Sequence, residues 1–334
     1  MALNSGSFTG RNVEYGVAIE AVHNTPVAPW YNLRWETADF EDKGTTLLNK
    51  SALGVLNADS GAELTEQWAE GQIAGKVTDR AIGVILYGLQ GAYSKVTHAG
   101  ETIVFDHTYT ESQNNQLQSI TITRQDPNVD EQFPGALVNT FEVDAKAGDF
   151  VRHVSNFISL PSTVTSTTRG YVTEEEFIAR DLVCKFANQA SGIGSAASIP
   201  AESFKLTVNN NVTPYFVIGS LSPSNIYAQS TTITGEITLV YDSQTYKTLR
   251  FNNSSQYVQV TITNSRVTIG VAAHPTITFT MPVCYLTDWK NEQSLDGLVK
   301  QSITFQSVYS LDFGYGLSIA HTSLVSSYLA APAS

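Results

Sequence analysis

The feature that most constrains this chain is a period-two alternation of apolar and polar residues recurring from one end to the other. Successive side chains of a β-strand point to opposite faces, so such text specifies strands with one buried face and one wet face. In one stretch Ile73 and Val77 are apolar, while Glu66, Glu70, Gln72 and Lys76 are polar and Trp68 is the exception. In another, Phe141, Val143 and Ala145 alternate with Glu142, Asp144 and Lys146. A third sets Ile233, Ile237, Leu239 and Tyr241 against Thr234, Glu236 and Thr238. Strands are also expected at 13–22, 34–40, 105–109, 117–123, 177–188 and 204–208.

Composition agrees with a mainly β fold. Charged residues make up 15% of the chain, below a usual share of about a quarter, and Thr, Ser, Asn and Gln stand in their place with 15 Tyr and 15 Phe. Thr and aromatics fit pleated strands, while Asn and Ser serve turns. The 31 acidic and 19 basic residues give a formal charge of −12, and no basic cluster interrupts it, which argues against a nucleic-acid-binding surface. Cys184 and Cys284 form no metal or redox motif and are expected to be buried free thiols. Residues 1–10 lack the pattern of a signal peptide, and no apolar run suits a membrane span, so a soluble protein made in a cytoplasm is expected. Sequons at Asn49, Asn211 and Asn253 are then chance matches.

Two helices interrupt the strands. Thr78-Asp79 is expected to cap a helix carrying Ile82, Ile85, Leu86 and Leu89, with Gly91 as its stop. Tyr241-Asp242-Ser243 is expected to cap a shorter one with Tyr246 and Leu249. Each helix follows a half-wet strand, and each such strand follows a long, partly apolar excursion, at 41–61 and 209–230. Gly71-Gln72-Ile73 aligns with Gly235-Glu236-Ile237 at an offset of 235 − 71 = 164, and Asp79 with Asp242 at 242 − 79 = 163. A period of this size means a duplicated domain. The division expected is a first lobe at 1–160, a linker at 161–170, a second lobe at 171–328 and a flexible tail at 329–334.

Motifs for chemistry are absent: no phosphate loop, no dinucleotide fingerprint, no nucleophile elbow. Asp106-His107 are strand neighbours and point apart. Asp126 to Asp130 opens like a calcium loop, but Glu131 and Leu137 stand where that loop needs Gly and Glu, so a polar turn is expected. Glu174-Glu175-Glu176 reads as a solvated edge, and Trp30, Trp35, Trp68 and Trp289 as packing residues. No enzyme, metal or cofactor is expected. The wet faces do form a constellation: Glu66, Glu70, Gln72, Glu142, Asp144, Thr234, Glu236, Ser302 and Thr304, with Gln306. It suits an ordinary solvent face or the inner wall of a ring through which a polyanion passes without sticking.

Several segments in order resemble the tail tube (major tail) proteins of long-tailed bacteriophages, in a larger two-lobed form. They include Gly16-Val17-Ala18-Ile19-Glu20 before Thr25-Pro26-Val27-Ala28-Pro29, with Asn24 where that family often has Gly. They continue through Glu70-Gly71-Gln72-Ile73-Ala74-Gly75-Lys76-Val77, His107-Thr108-Tyr109-Thr110, and Gly135 to Val143 followed by Thr173 to Phe177. Trp289 and Leu298 to Phe305 close the series, so the resemblance covers roughly residues 10–328.

The resemblance implies duplicated β-sandwich or barrel lobes, each with a flanking short helix and a long loop, and a lumen-facing sheet continued between subunits. It implies a virion tail protein assembled in the host cytoplasm into stacked rings that conduct DNA into the host. Six lobes per ring would mean three copies, or six if the lobes are not duplicated. Further partners implied are the tape measure, tail terminator and distal tail proteins; DNA passes without specific binding, and no membrane insertion is implied. The nine residues above become lumen candidates. Leu47, Leu48, Leu53, Val55 and Leu56, with Tyr215, Phe216, Ile218, Leu221 and Ile226, become candidates for contacts between rings, because apolar loops unused by a subunit mark interaction sites. The rival readings are a carbohydrate-binding or adhesive β-sandwich and a hydrolase with an unusual carboxylate pair.

Overall fold

A computed structural model describes residues 7–114, 116–293 and 295–331. The first half runs β1 (Glu14–Ile19), β2 (Tyr31–Leu33), β3 (Trp35–Ala38), β4 (Glu41–Asn49), β5 (Gly61–Lys76), α1 (Ile82–Gln90), β6 (Gly91–Thr97), β7 (Phe105–Glu111), β8 (Ile120–Gln125), β9 (Asp130–Lys146), β10 (Arg152–Ser159) and β11 (Thr163–Thr165). The second runs β12 (Leu182–Ala187), β13 (Ala201–Asn209), β14 (Val212–Tyr215), β15 (Asn225–Ala228), β16 (Thr232–Val240), α2 (Thr245–Phe251), β17 (Gln256–Thr263), β18 (Thr276–Glu292), β19 (Lys300–Ser307) and β20 (Ser318–Ser323).

One antiparallel sheet crosses both halves in the order β4-β5-β10-β9-β13-β16-β19-β18, with β3 sharing the outer edge of β5. β9 and β18 are long enough to belong to two layers. The start of β9 pairs with β8 and β11, and its end with β10 and β13. The start of β18 pairs with β17 and β20, and its end with β19. The halves are stitched by the pairing of β9 with β13 and of β7 with β20, and by bridges of Thr78 with Glu176 and Phe150 with Ile178. One hydrophobic cluster spans them, from Val17 and Ile73 to Ile237 and Phe305.

α1 is wholly buried, which explains its apolar text on every face. Gly91 ends it at φ 81°, the left-handed conformation expected of a glycine stop. Its cap is not Asp79. Glu174 reaches in from far along the chain to accept the N–H of Ala81 and the hydroxyl of Thr78, while the Asp79 carboxylate accepts the N–H of Glu175 at 2.8 Å. Asp242 does not cap α2 either; Gln244 holds that position without a side-chain bond. Asn24 has φ 63°, so it fills a left-handed turn position that glycine adopts most easily.

Both excursions contain strands. The first opens as β4, which pairs with the start of β5 as a projecting hairpin arm. The second folds into the β14–β15 hairpin. Residues 161–170, expected to be a linker, contain β11. Of the expected tail, 332–334 lie outside the described residues.

Candidate assembly surfaces

Register decides which side chains share a face. Across the sheet Arg152 lies opposite both Lys76 and Asp144, Lys205 opposite both Asp144 and Glu236, and Thr304 opposite both Glu236 and Asp288. A parallel row carries Glu142, Thr207, Thr234 and Gln306. Their strand neighbours, such as Phe141, Val143, Ile237 and Phe305, are buried on the other side. Glu70, Gln72, Glu142, Asp144, Thr234, Glu236, Ser302 and Thr304 are thereby brought onto one polar face. Glu66 has the same parity but lies out on the arm, opposite Thr45 and beyond the reach of β10, whose last residue, Ser159, lies opposite Ala69.

The face is mixed in charge, not acidic. Glu142 forms an ion pair with Lys205 at 2.8 Å, and Glu236 accepts the hydroxyl of Ser302 at 2.9 Å. Arg152 bonds Glu36 at 2.8 Å, and Lys300 bonds Glu202 at 2.6 Å. Arg152 and Lys205 join Lys76 as cations of this face through register alone. Nothing local to 205 announces that it lies opposite Asp144.

The two halves of the sheet share a pattern of registers. Gly71 faces Phe157, and Gly235 faces Phe305. In β9 the chain skips Asn139, so Phe157 faces Val138 and Asn156 faces Thr140. In β18 it skips Thr287, so Phe305 faces Leu286 and Thr304 faces Asp288. The offsets agree: 305 − 157, 286 − 138 and 288 − 140 are all 148.

Apolar exposure separates the ring-contact candidates. Leu47, Leu48, Leu53, Val55 and Leu56 stand exposed on the arm, as do Tyr215, Ile218 and Leu221 on the second hairpin. Ile226 does not: it is 1% exposed, packed with Leu117, Leu137, Ile158 and Val212 inside the chain. Phe216 lies edge-on to Trp68 at 6.0 Å, and the carbonyl of Leu221 accepts the N–H of Gln67 at 2.8 Å. The β14–β15 hairpin therefore docks onto the chain's own first half. A loop of apolar residues looks the same in sequence whether its partner is internal or another molecule.

Several titratable groups have structural partners. Asp106 bonds His98 at 2.9 Å and Thr322, whereas His107 turns to the hydroxyl of Tyr93 at 2.8 Å. Burial lowers His107 and His153 to about 4 and His321 to about 3, leaving them neutral. Burial raises both cysteines to about 12, so they persist as thiols. Asp126 accepts the N–H groups of Asn128 and Val129, closing the expected polar turn. Glu176 pairs with Arg34 and Lys76. Among the described residues no cluster of His, Cys, Asp or Glu could hold a metal ion, and no helix is long and apolar enough to cross a membrane.

The sheet has two open edges. Among the described residues β3 and β4 pair on one side only, with β5, and the end of β18 pairs on one side only, with β19. A sequence profile described as phage tail tube protein matches residues 10–307. No curated protein sequence matches. Among solved structures, the SPP1 tail tube, determined by solid-state NMR and cryo-electron microscopy, is similar over 44% of this chain and 80% of its own, at 13% identity and a TM-score of 0.33.

Proposed function

We infer the working assembly from one premise: the chain belongs to the phage tail tube protein family. It is a structural component of the virion tail, not an enzyme, and its copies form the tail tube. Our reading beyond this is that each chain is a duplicated pair of lobes and that three chains close a ring. The lobes are β4-β5-β10-β9 and β13-β16-β19-β18. The observation that carries the reading is the repeated register, with a Gly–Phe pair and a one-residue skip at matching positions of both halves.

Geometry favours three. A ring of three holds 3 × 8 = 24 strands, counting the eight of the crossing sheet. At ~4.8 Å between strands and ~40° tilt, 24 strands give a barrel radius of ~24 Å, leaving a lumen ~38 Å wide inside ~5 Å of side chains. Two copies would leave ~22 Å and six ~86 Å by the same geometry. A duplex roughly 20 Å across with its hydration fits the middle value.

With the polar face inward, the lumen wall is the row of Thr, Gln, Asn and balanced charges described above. Each cation on it has a nearby carboxylate competing for it, so few are free to release counterions from a passing phosphate. The exposed apolar tip of the arm, Leu53 to Leu56, is suited to reach the next ring. Tape measure, terminator and distal tail proteins would meet the tube along its lumen and at its ends. Cryo-electron microscopy of tubes grown from the purified chain tests this: three chains per ring are expected, and six whole chains would refute the closure argument.

A further inference from the structure

We infer that neighbouring copies join by repeating the chain's own internal joint, in one register set by a charge quartet: Asp288 opposite Lys43 and Lys290 opposite Glu41. The inference rests on the ring reading above and names its contact. Internally, the end of β9 pairs with β13, with Thr140 opposite Asn209, Glu142 opposite Thr207 and Asp144 opposite Lys205. The counterpart of β9 in the second half is β18, at an offset of 148. The counterpart of β13 in the first half is the β3–β4 edge. Phe204 faces Ile237 as Ala38 faces Ile73, and Thr207 faces Thr234 as Glu41 faces Glu70; 204 − 38 and 207 − 41 are both 166.

The open edges of the sheet are these two counterparts. Carrying the internal register across both offsets sets 288 opposite 43, 290 opposite 41 and 292 opposite 39, and the sidedness places the first four side chains on the polar face. Nothing in the derivation used charge, yet the result pairs acid with base twice. Direct cross-strand pairs of opposite charge stabilise a sheet, and like charges there destabilise it. In the free chain these groups are satisfied along their own strands, Lys43 with Glu41 at 2.6 Å and Lys290 with Asp288 at 3.1 Å, all on exposed edges. Charged side chains of this kind keep an unpaired edge from joining indiscriminately. In the one like-charged position, Asp39 already accepts the N–H of Gln72 at 2.6 Å, and Glu292 lies opposite Lys300.

Two details agree. In the internal joint the carbonyl of the skipped residue Asn139 accepts the N–H of Asn210 at 2.8 Å. Its counterpart Thr287 offers its carbonyl to Arg250 at 2.8 Å in the free chain, and the matching donor on the next copy is the N–H of Gly44. The segment after β13 folds over Leu137 and Leu160. Their counterparts at 148 are Tyr285 and Val308, and Val308, Tyr309 and Leu311 form an exposed apolar corner. The base of the arm, with exposed Leu47 and Leu48, follows the β3–β4 edge and would land there.

The test is assembly of the full chain followed by sedimentation and electron microscopy. Glu41→Lys with Lys43→Glu, or Asp288→Lys with Lys290→Glu, keeps the net charge and each local pair but reverses one edge. Each double variant is expected to raise the concentration needed for tubes at least tenfold, and all four reversals together to restore it. A second readout, which does not depend on how a reversed edge folds, uses cysteines. Lys43→Cys with Asp288→Cys should crosslink chain to chain on oxidation, since the two edges of one sheet lie about 7 × 4.8 Å apart, too far for a disulfide within a chain. Lys43→Cys with Lys290→Cys, two residues out of register, should not. Double variants that assemble like wild type, or preferential crosslinking of the shifted pair, would overturn the register and leave the ring standing. A wild-type chain that forms no tubes overturns both.

Discussion

Replacing Glu174 with Gln should make the subunit more stable at neutral pH and leave it nearly unchanged in acid. Glu174 is 5% exposed and holds the N-terminus of the buried helix α1 through Ala81 and Thr78. Burial, with the nearby Asp79 adding to it, outweighs the bonds from Ala81 and Thr78 and the pull of Arg34, raising its carboxyl from 4.5 to about 7. A raised carboxyl binds its proton more tightly folded than unfolded. Its contribution is therefore fully present below about pH 4.5 and lost as pH rises through about 7. A difference of 7 − 4.5 = 2.5 units at ~1.36 kcal/mol each is about 3 kcal/mol. Gln keeps an acceptor for Ala81 and cannot ionise; it also relieves Asp79, itself raised first by burial. Urea unfolding of dilute subunits at pH 4.5 to 8 measures both proteins. The buried histidines titrate alike in each and cancel in the difference. The gap should open from near zero to about 3 kcal/mol in favour of Gln. A gap that does not change with pH would refute the reasoning, since it would mean that Glu174 does not ionise within this range.

Deleting residues 45–56 removes the arm, whose leucines and Val55 are exposed, so subunit stability should change by no more than about 1 kcal/mol while tube formation is lost; normal tubes by electron microscopy would count against the arm. Replacing Glu70, Glu142 and Glu236 together with Lys removes three negative and adds three positive charges, shifting the polar face by 3 × 2 = 6 charge units per copy. Tubes should form, and DNA release from phage carrying them should slow, with the delay shrinking as salt rises; unchanged release kinetics would place that face away from the DNA.

The faces of the strands were legible because parity is local: once Ile73 or Val143 is placed inside, Gln72 and Glu142 must be outside. The buried helix was legible for the same reason, its apolar text being continuous. β10 escaped because its alternation is inverted in polarity. His153 and Ser155 sit on the buried side, bonded to one another at 3.0 Å, while Val154 faces the polar side. The cap from Glu174 escaped because it arrives from more than ninety residues away. Between these cases lies the assembly itself. Glu41 with Lys43, and Asp288 with Lys290, read in sequence as trivial solvated pairs, and each is satisfied locally in the free chain. What gives them meaning is position: they mark the two ends of a sheet whose middle joint already shows how β9 and β13 fit. A pair that is neutral where it stands can still fix register when its edge meets another. A shift by two residues would set Lys290 opposite Lys43 or Asp288 opposite Glu41, opposing like charges, so the free chain's local neutrality and the joint's selectivity come from the same side chains.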